Sequence, residues 1–145
     1  MTCTFFGHST APENIESQLE TAIINLIENH GVKNFYVGNN GSFDGLATRA
    51  LSELSEDYGI KYTVVLEKIP GDNDTRLDKY YPNTMLAPGF EKALPRFRII
   101  HRNRWMIKNS DYVITYIINP FGSGAARFAE LAEKKGKKII KLGNY

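Results

Sequence analysis

The sequence predicts an α/β fold, a three-layer α/β/α Rossmann-like sandwich built on about five mostly parallel strands. Strand-like and helix-like segments alternate along the chain and short turns join them, as parallel strands with crossover connections require. The run V-I-T-Y-I-I at 113–118 is continuously apolar, which is typical of a strand covered by helices on both faces. With 145 residues the chain can bury a full core, so we expect 1–145 to be a single domain.

The first half of the chain supplies three predicted strands and two helices. Capping-box spacing at 10–13, with a proline in the first turn, opens the first helix, and His30-Gly31 ends it. Ser42 is expected to cap the second helix, after the polar turn G-N-N-G-S. The predicted elements are, in order, a strand at 2–6, a helix at 10–30, a strand at 34–37, a helix at 42–58 and a strand at 61–66.

The second half begins with the least regular segment, 67–96, which is rich in Pro, Gly, Asp, Asn and Tyr. It is long for a connection in a compact domain, so we expect a lid, a pocket wall or a subunit contact there. The elements that follow are predicted as a helix at 97–109, a strand at 111–118, a helix at 125–135 and a strand at 138–142. On the first of these helices we expect Ile99 and Met106 to face the core.

Composition argues against several classes of protein. The net charge is +2, from 18 basic and 16 acidic side chains, so we expect no nucleic-acid partner, because nucleic-acid-binding domains usually carry a strong basic excess. No segment approaches the roughly 20 apolar residues that span a membrane, and the strand-like start predicts no signal peptide. The single cysteine, Cys3, excludes an internal disulfide and suits a cytoplasmic location.

The predicted fold also locates the ligand site. In open parallel sheets, ligands bind beyond the carboxyl ends of the strands, near the point where the strand order reverses. Three predicted loops lie at that edge: Gly7-His8-Ser9, Gly38 to Asp44, and Asn119 to Ala126. Each contains a glycine, which lets the backbone approach a ligand closely.

The loop before the last helix is the main candidate for binding an anion. At a helix start, backbone N–H groups lack partners within the helix and the helix dipole favours negative charge. Gly122 and Gly124 allow a tight turn, and Ser123 can cap the helix or donate to a phosphate oxygen. The small side chains of Ala125 and Ala126 keep the rim low. A tight turn without a ligand is the alternative, because a short glycine pattern is a weak motif.

The loop after the second strand offers polar groups to the same ligand. Gly38 and Gly41 permit close approach, and Asn39 and Ser42 lie between and beside them. Asp44 can accept hydrogen bonds from ribose hydroxyls or a base edge. Alternatively, Asp44 only stabilises the first turn of the helix, where the dipole favours a carboxylate.

Two further side chains complete the candidate set. Arg102 can fork onto a phosphate through its guanidinium, although many arginines only pair with carboxylates. His8 can contact phosphate or carry a proton, and a hydrogen-bonded structural histidine is the alternative. The histidines and carboxylates show no metal-ligand spacing, so we expect neither a metal site nor a cofactor.

Together these segments resemble the SLOG superfamily, the Rossmann-like group that contains the LOG phosphoribohydrolases and the DprA core domain. The resemblance covers nearly the whole chain and is nearest to small bacterial and phage members of unknown function. It implies the fold and frequent pairing of subunits, hence a homodimer or higher homo-oligomer. The matching segments are T-F-F-G-H at 4–8, F-Y-V-G-N-N-G-S-F-D at 35–44, R-N-R-W-M-I-K-N-S-D-Y-V-I-T-Y at 102–116 and G-S-G-A-A at 122–126.

The resemblance to LOG enzymes extends to one catalytic residue but not to the other. Those enzymes cleave the N-glycosidic bond of a nucleoside monophosphate. Their two catalytic residues are an arginine that precedes an S-D pair and the glutamate at the end of the motif P-G-G-x-G-T-x-x-E. Arg102 and Ser110-Asp111 match the first motif. Phe128 stands where the glutamate is expected, and Glu130 lies two positions later on another side of the helix. Of the remaining carboxylates, Glu91 and Asp44 are the candidates to substitute for it.

The sequence therefore predicts a domain that binds a nucleotide or nucleotide-derived small molecule, either to sense it or to sequester it. Its phosphate is expected on the turn at 122–126 with Arg102 pairing its charge, and its sugar or base beside Gly38 to Asp44. The alternative is a LOG-like phosphoribohydrolase that acts on a nucleoside monophosphate, with Arg102 as a catalytic residue. The charge balance argues against a third interpretation, binding of single-stranded nucleic acid as in DprA.

Overall fold

The three-layer α/β/α sandwich is confirmed by a computed structural model, which describes residues 1–8, 10–71, 83–119, 121 and 123–143. The described strands are β1 (Thr2–Gly7), β2 (Asn34–Val37), β3 (Lys61–Leu66), β4 (Thr84–Leu86), β5 (Tyr112–Tyr116) and β6 (Lys138–Leu142). The described helices are α1 (Glu16–His30), α2 (Ser42–Tyr58), α3 (Arg98–Lys108) and α4 (Gly124–Lys134). Short 3-10 turns span Glu13–Ile15, Phe90–Lys92 and Pro95–Phe97.

The six strands form one parallel sheet in the order β4-β3-β2-β1-β5-β6. The chain builds outward from β1 to β4 on one side and then returns to add β5 and β6 on the other. In the register Thr4 pairs with Tyr36 of β2 and with Val113 of β5. The strand order therefore reverses between β1 and β5, and this is the point where open parallel sheets place their ligands.

The sheet separates two hydrophobic cores. One core lies under α1 and α2, where Leu19, Ile23 and Leu26 of α1 meet the apolar face of α2. The other lies under α3 and α4, where Met106 and Ala132 pack against the opposite face of the sheet. Because both faces are covered by helices, the central strands are apolar without alternation, as the sequence predicted for β5.

Two helix starts differ from prediction. The segment at 10–13 does not open the first helix through a capping box; a 3-10 turn, Glu13–Ile15, leads into α1, and no side chain caps it. Ser42 does not cap α2, whose N-cap is Gly41. The Ser42 hydroxyl instead accepts a hydrogen bond from the Ala11 N–H and donates to the Ala11 carbonyl, which ties α2 to the segment before α1. The predicted helix ends at His30-Gly31 and at about Tyr58 are confirmed.

Two features of the second half were also missed. Part of the segment 67–96 forms β4, which among the described strands pairs with β3 alone. A strand of three residues is too short to show a period of two. Ile99 is not a core residue, since it is 43% exposed in the first turn of α3. Residues 72–82 of the same segment lie outside the described residues, so the expected lid or subunit contact stays a prediction.

Candidate functional site

A pocket of about 640 Å³ lies at the point where the strand order reverses. The ends of β1 and β2 form its floor, α3 forms one side, and the loop after β5 with the start of α4 forms the other. Eight of the predicted site residues line it: Gly7, His8, Gly38, Asp44, Arg102, Ser123, Gly124 and Ala125. The remaining lining residues are Phe5, Phe6, Thr10, Asn40, Ile99, Asn103, Met106, Ile118, Asn119 and Phe128.

The start of α4 presents backbone N–H groups to the pocket. Ser123 is the N-cap, with extended backbone, and its Oγ accepts a hydrogen bond of 3.1 Å from the Ala126 N–H. The N–H groups of Gly124 and Ala125 have no acceptor among the residues that the structure describes. Both residues line the pocket, so the unsatisfied end of the helix dipole faces it. Gly122 lies outside the described residues.

His8 holds two sides of the pocket together. Its Nε2 accepts hydrogen bonds from the N–H groups of Ile118, at 2.7 Å, and Asn119, at 3.2 Å. The backbone N–H of His8 donates to the carbonyl of Tyr116 at 3.2 Å. An Nε2 that accepts two N–H bonds carries no proton, so the ring proton sits on Nδ1 in this arrangement. His8 is thus a hydrogen-bonded structural histidine that also contributes to the pocket wall.

Arg102 is buried at the floor of the pocket, with 2% of its surface exposed. One guanidinium nitrogen lies 3.3 Å from a carboxylate oxygen of Glu67 and also donates to the side-chain oxygen of Asn39. The Arg102 Nε donates to the Asn103 Oδ1 at 3.1 Å. A buried guanidinium with this many acceptors has a fixed orientation, and its charge is largely balanced by Glu67.

Glu67 and Asn103 are the members of this polar cluster that the sequence prediction omitted. Glu67 is the first residue after β3 and is buried, which is rare for a glutamate without a cationic partner. The rule that selected the loops after β1, β2 and β5 applies equally to β3, so a charged residue directly after the apolar run V-V-L was the available signal. Asn103 gave none, since one asparagine on a helix is unremarkable.

Asp44 brings a carboxylate into the pocket from the first turn of α2. Burial raises the pKa of its carboxyl above the usual range, while the Asn40 N–H, 3.0 Å away, and the positive charge of Arg102 act in the opposite direction. A Cβ on Gly38 would come within 3.0 Å of the Asp44 carboxylate and 3.2 Å of the Arg102 guanidinium. A glycine at this position therefore allows the two charged groups to approach the backbone.

Several predicted residues do not line the pocket. Asn39 lies behind Arg102 as its hydrogen-bond acceptor, and the Ala126 N–H is already bonded to Ser123. Gly41, with a φ of 142°, allows the turn into α2, and the Ser42 hydroxyl is occupied by the Ala11 backbone. These residues shape the loops around the pocket without lining it.

The carboxylates named as candidates from the resemblance differ in whether they line the pocket. Phe128 lines the pocket at the position of the expected glutamate and stacks on Phe6 with 5.5 Å between ring centroids. Glu130 is exposed and pairs with Lys134 on another face of α4, and Glu91 is exposed outside the pocket. Asp44 is therefore the carboxylate that reaches this pocket wall among the candidates named from the sequence.

The described residues contain one cluster of three side chains with metal-ligand spacing, Glu16, Glu20 and Glu53, and it lies on α1 and α2 rather than at the pocket. No described helix combines the length and apolar character needed to cross a bilayer.

No protein-family model matches the chain, and no curated protein is significantly similar to it. Fold and pocket together define an α/β protein with a candidate ligand site at the reversal of its strand order.

Proposed function

We propose that this chain binds a nucleotide or nucleotide-derived ligand in the 640 Å³ pocket. The observation that carries the proposal is the start of α4, where the N–H groups of two residues that line a concave, partly apolar cavity have no acceptor among the described residues. Such a helix start is suited to a phosphate, because backbone donors and the helix dipole act together. The volume is within the range of small-molecule sites.

The proposed phosphate position is set by backbone more than by side chains. Gly124 and Ala125 would donate through their N–H groups, and the small Ala125 side chain leaves room for the oxygens. Arg102 contributes positive potential from the floor, although Glu67 balances much of it. This charge supply is modest, so we expect few phosphate groups at this position.

The opposite wall suits the rest of a nucleotide. Asp44 can accept hydrogen bonds from sugar hydroxyls, and Asn40 adds a second polar side chain beside it. Phe6, Met106 and Phe128 supply an apolar surface on which a planar base can pack. A site with an anion end, a hydroxyl-binding side and an apolar surface matches the parts of a nucleotide.

The substitution Ala125→Asp tests the proposal at its central feature. It places a negative charge where the phosphate is expected, while a carboxylate in the first turn of a helix stabilises the fold by about 0.3–1 kcal/mol. Thermal-shift screening would use nucleoside mono-, di- and triphosphates, cyclic nucleotides and ADP-ribose. We expect at least one compound to stabilise the wild type and none to stabilise the variant.

Lys134→Gln is the matched control, because it changes the net charge by the same amount at the exposed far end of α4. This control should bind like the wild type. If no compound stabilises the wild type, the proposed function fails. If the Ala125→Asp variant binds as well as Lys134→Gln, the position assigned to the phosphate is wrong.

A second candidate function, hydrolysis of a nucleoside monophosphate, is favoured by one observation. Asp44 lines the pocket near Arg102, and burial raises the pKa of its carboxyl, as is common for carboxylates with a catalytic role. Chromatography of the ligand recovered from binding experiments separates the two functions. Free base released by the wild type but not by Asp44→Asn supports hydrolysis, whereas an unchanged ligand supports binding alone.

A further inference from the structure

The two helical layers of this molecule carry opposite charge, although the net charge of the whole chain is only +2. Besides the pocket residue Asp44, α1 and α2 contain six carboxylates and one arginine. Besides the buried Arg102, α3 and α4 contain five basic residues and two carboxylates. Because the sheet lies between the layers, one broad face of the molecule is acidic and the opposite one is basic.

The acidic face contains a groove of about 630 Å³ in which carboxylates crowd together. The carboxylate oxygens of Glu16, Glu20 and Glu53 all lie within 4.8 Å of one another. Arg49 pairs with Glu16 at 2.8 Å, and Glu13 adds a further negative charge to the groove. Carboxylates this close repel one another. The binding of cationic groups in the groove is therefore favourable, because it relieves this repulsion.

The basic face contains a groove of about 460 Å³ between α3 and α4. Arg104, Arg127 and Lys134 line it together with the apolar side chains of Ile100 and Leu131. Glu130 also lines it and pairs with Lys134. Ile100 is 37% exposed, and Phe97 and Leu94, just before α3, are 44% and 56% exposed. This face therefore combines exposed positive charge with apolar area, as protein interfaces do.

We propose that the basic face of one copy docks on the acidic face of the next, head to tail. The charge complementarity lies within one chain, so a second copy supplies the partner for each face. A two-fold pairing of either face with itself would oppose like charges. The apolar side chains around the basic groove favour a protein partner over a nucleic-acid backbone, which would leave them exposed.

Head-to-tail contacts leave one face of each kind free at the ends. The assembly therefore grows into an open filament or closes into a ring. It rests on surface charge, so it weakens as salt screens the charges, from a Debye length of about 30 Å at 10 mM to about 3 Å at 1 M. The basic groove shares Gly124 and Phe128 with the ligand pocket, whereas neither groove contains Asp44 or Arg102. Self-association needs no ligand, so it can be measured whether or not the proposed function holds.

Two neutralised variants test the proposal by sedimentation velocity in about 10 mM and about 1 M salt. One removes two of the basic charges, Arg104→Gln with Arg127→Gln, and the other removes two of the acidic ones, Glu20→Gln with Glu53→Gln. We expect the wild type at low salt to sediment at more than twice the mass of one chain, and at high salt as a monomer. Each variant alone should be monomeric. Their mixture should form a one-to-one dimer, because each contributes one intact face.

Three results would overturn the proposal. The first is a wild type that is monomeric at low salt, and the second is a mixture that stays monomeric. The third is a single-stranded oligonucleotide that binds wild type and loses affinity at least tenfold with the basic-face variant, while the wild type does not self-associate. Circular dichroism melting of both variants verifies that they fold, and the salt dependence of wild type tests the proposal without any substitution.

Discussion

Arg102 and Glu67 illustrate how one buried ion pair defines this site. Removing two charges from water is costly, so such a pair persists only with good geometry and additional hydrogen bonds. Here Asn39 and Asn103 accept hydrogen bonds from two further guanidinium N–H groups. The pair therefore fixes the floor of the pocket, and the loss of either partner would break a buried ionic contact.

Glu67→Gln should destabilise the protein by about 3 kcal/mol, because it breaks the buried ion pair with Arg102. Urea unfolding followed by fluorescence measures the loss. Glu16→Gln is the control, since it makes the same change at the exposed pair with Arg49 and should cost clearly less. Equal losses for the two variants would mean that the buried pair contributes no more than a surface one.

Asp44→Asn should raise stability at neutral pH. The folded state holds the pKa of this carboxyl above its ordinary value of 3.8, so the native protein binds the proton more tightly than the unfolded chain. Wild-type stability thus falls as pH rises from 3.8 through the raised pKa, and the variant lacks this loss. Unfolding curves between about pH 4 and pH 7 should show an advantage of the variant that vanishes toward pH 4.

Asp57→Asn, at the exposed end of α2, controls for removal of one negative charge from the same helix. A lower stability of Asp44→Asn than of the wild type at pH 7 would contradict the argument. It would mean that the attraction to Arg102 and the Asn40 hydrogen bond outweigh burial.

For individual residues, the sequence predicted which of them lie at the pocket better than it predicted which hydrogen bonds they make. Arg102, Asp44 and Ser123 meet at one pocket because the carboxyl ends of parallel strands share an edge, and this follows from the strand pattern. The bonds that His8 and Ser42 make could not be predicted, since they depend on backbone groups far away in the chain. Glu67 was predictable from the same edge rule and was overlooked.

At the scale of elements, β1 and α2 approach each other closely at Gly7. A Cβ on Gly7 would lie 2.3 Å from the ring of Phe43, so any side chain there forces the strand and helix apart. Gly7→Ala should therefore cost about 1–3 kcal/mol through overpacking. Gly45→Ala, in α2 with open space around its Cβ, should instead gain about 0.5–1 kcal/mol.

Thermal and urea unfolding of the two glycine variants provide the comparison. Both remove one glycine from neighbouring parts of the same fold, so their difference isolates the contact between Gly7 and Phe43. If Gly7→Ala leaves the free energy of unfolding unchanged, β1 and α2 can separate at little cost. The pocket wall that they form would then be deformable.

The elements with strong periodicity were predicted correctly, and the irregular ones were not. Helices α1 to α4 repeat apolar residues at helical spacing, and five of the six strands are apolar runs with clear ends. β4 has only three residues and becomes a strand by pairing with β3, a contact between distant segments that local pattern does not encode. Ile99 matched the helical repeat, but it lies in the first turn of α3, where its side chain is partly exposed to solvent.

Across the whole molecule, stability should fall from the centre of the sheet to its β4 edge. β1 has hydrogen-bonded neighbours on both sides, whereas β4 pairs only with β3 over three residues. Hydrogen exchange followed by mass spectrometry should find amides of β4 exchanging roughly 100-fold faster than those of β1. Comparable rates in both strands would indicate that the sheet opens only as a unit.

The charge distribution also belongs to this scale. Basic and acidic residues are nearly equal in number over the whole chain, and this predicted no nucleic-acid partner. The two helical layers nevertheless carry charges of opposite sign. Summation over the chain hides this segregation, because the acidic helices precede the basic ones and only the fold places them on opposite faces. Charge counted by element would have revealed it.

The central position of β1 bears on how the protein is made. Thr2 bonds to Asp111, 109 residues further along the chain, so one edge of the first strand waits for β5 until most of the polypeptide has been synthesised. Contacts between such distant segments form slowly, and an unpaired apolar strand edge invites aggregation meanwhile. β1 is thus fully enclosed only after β5 has been made, and until then its free edge can pair with other chains.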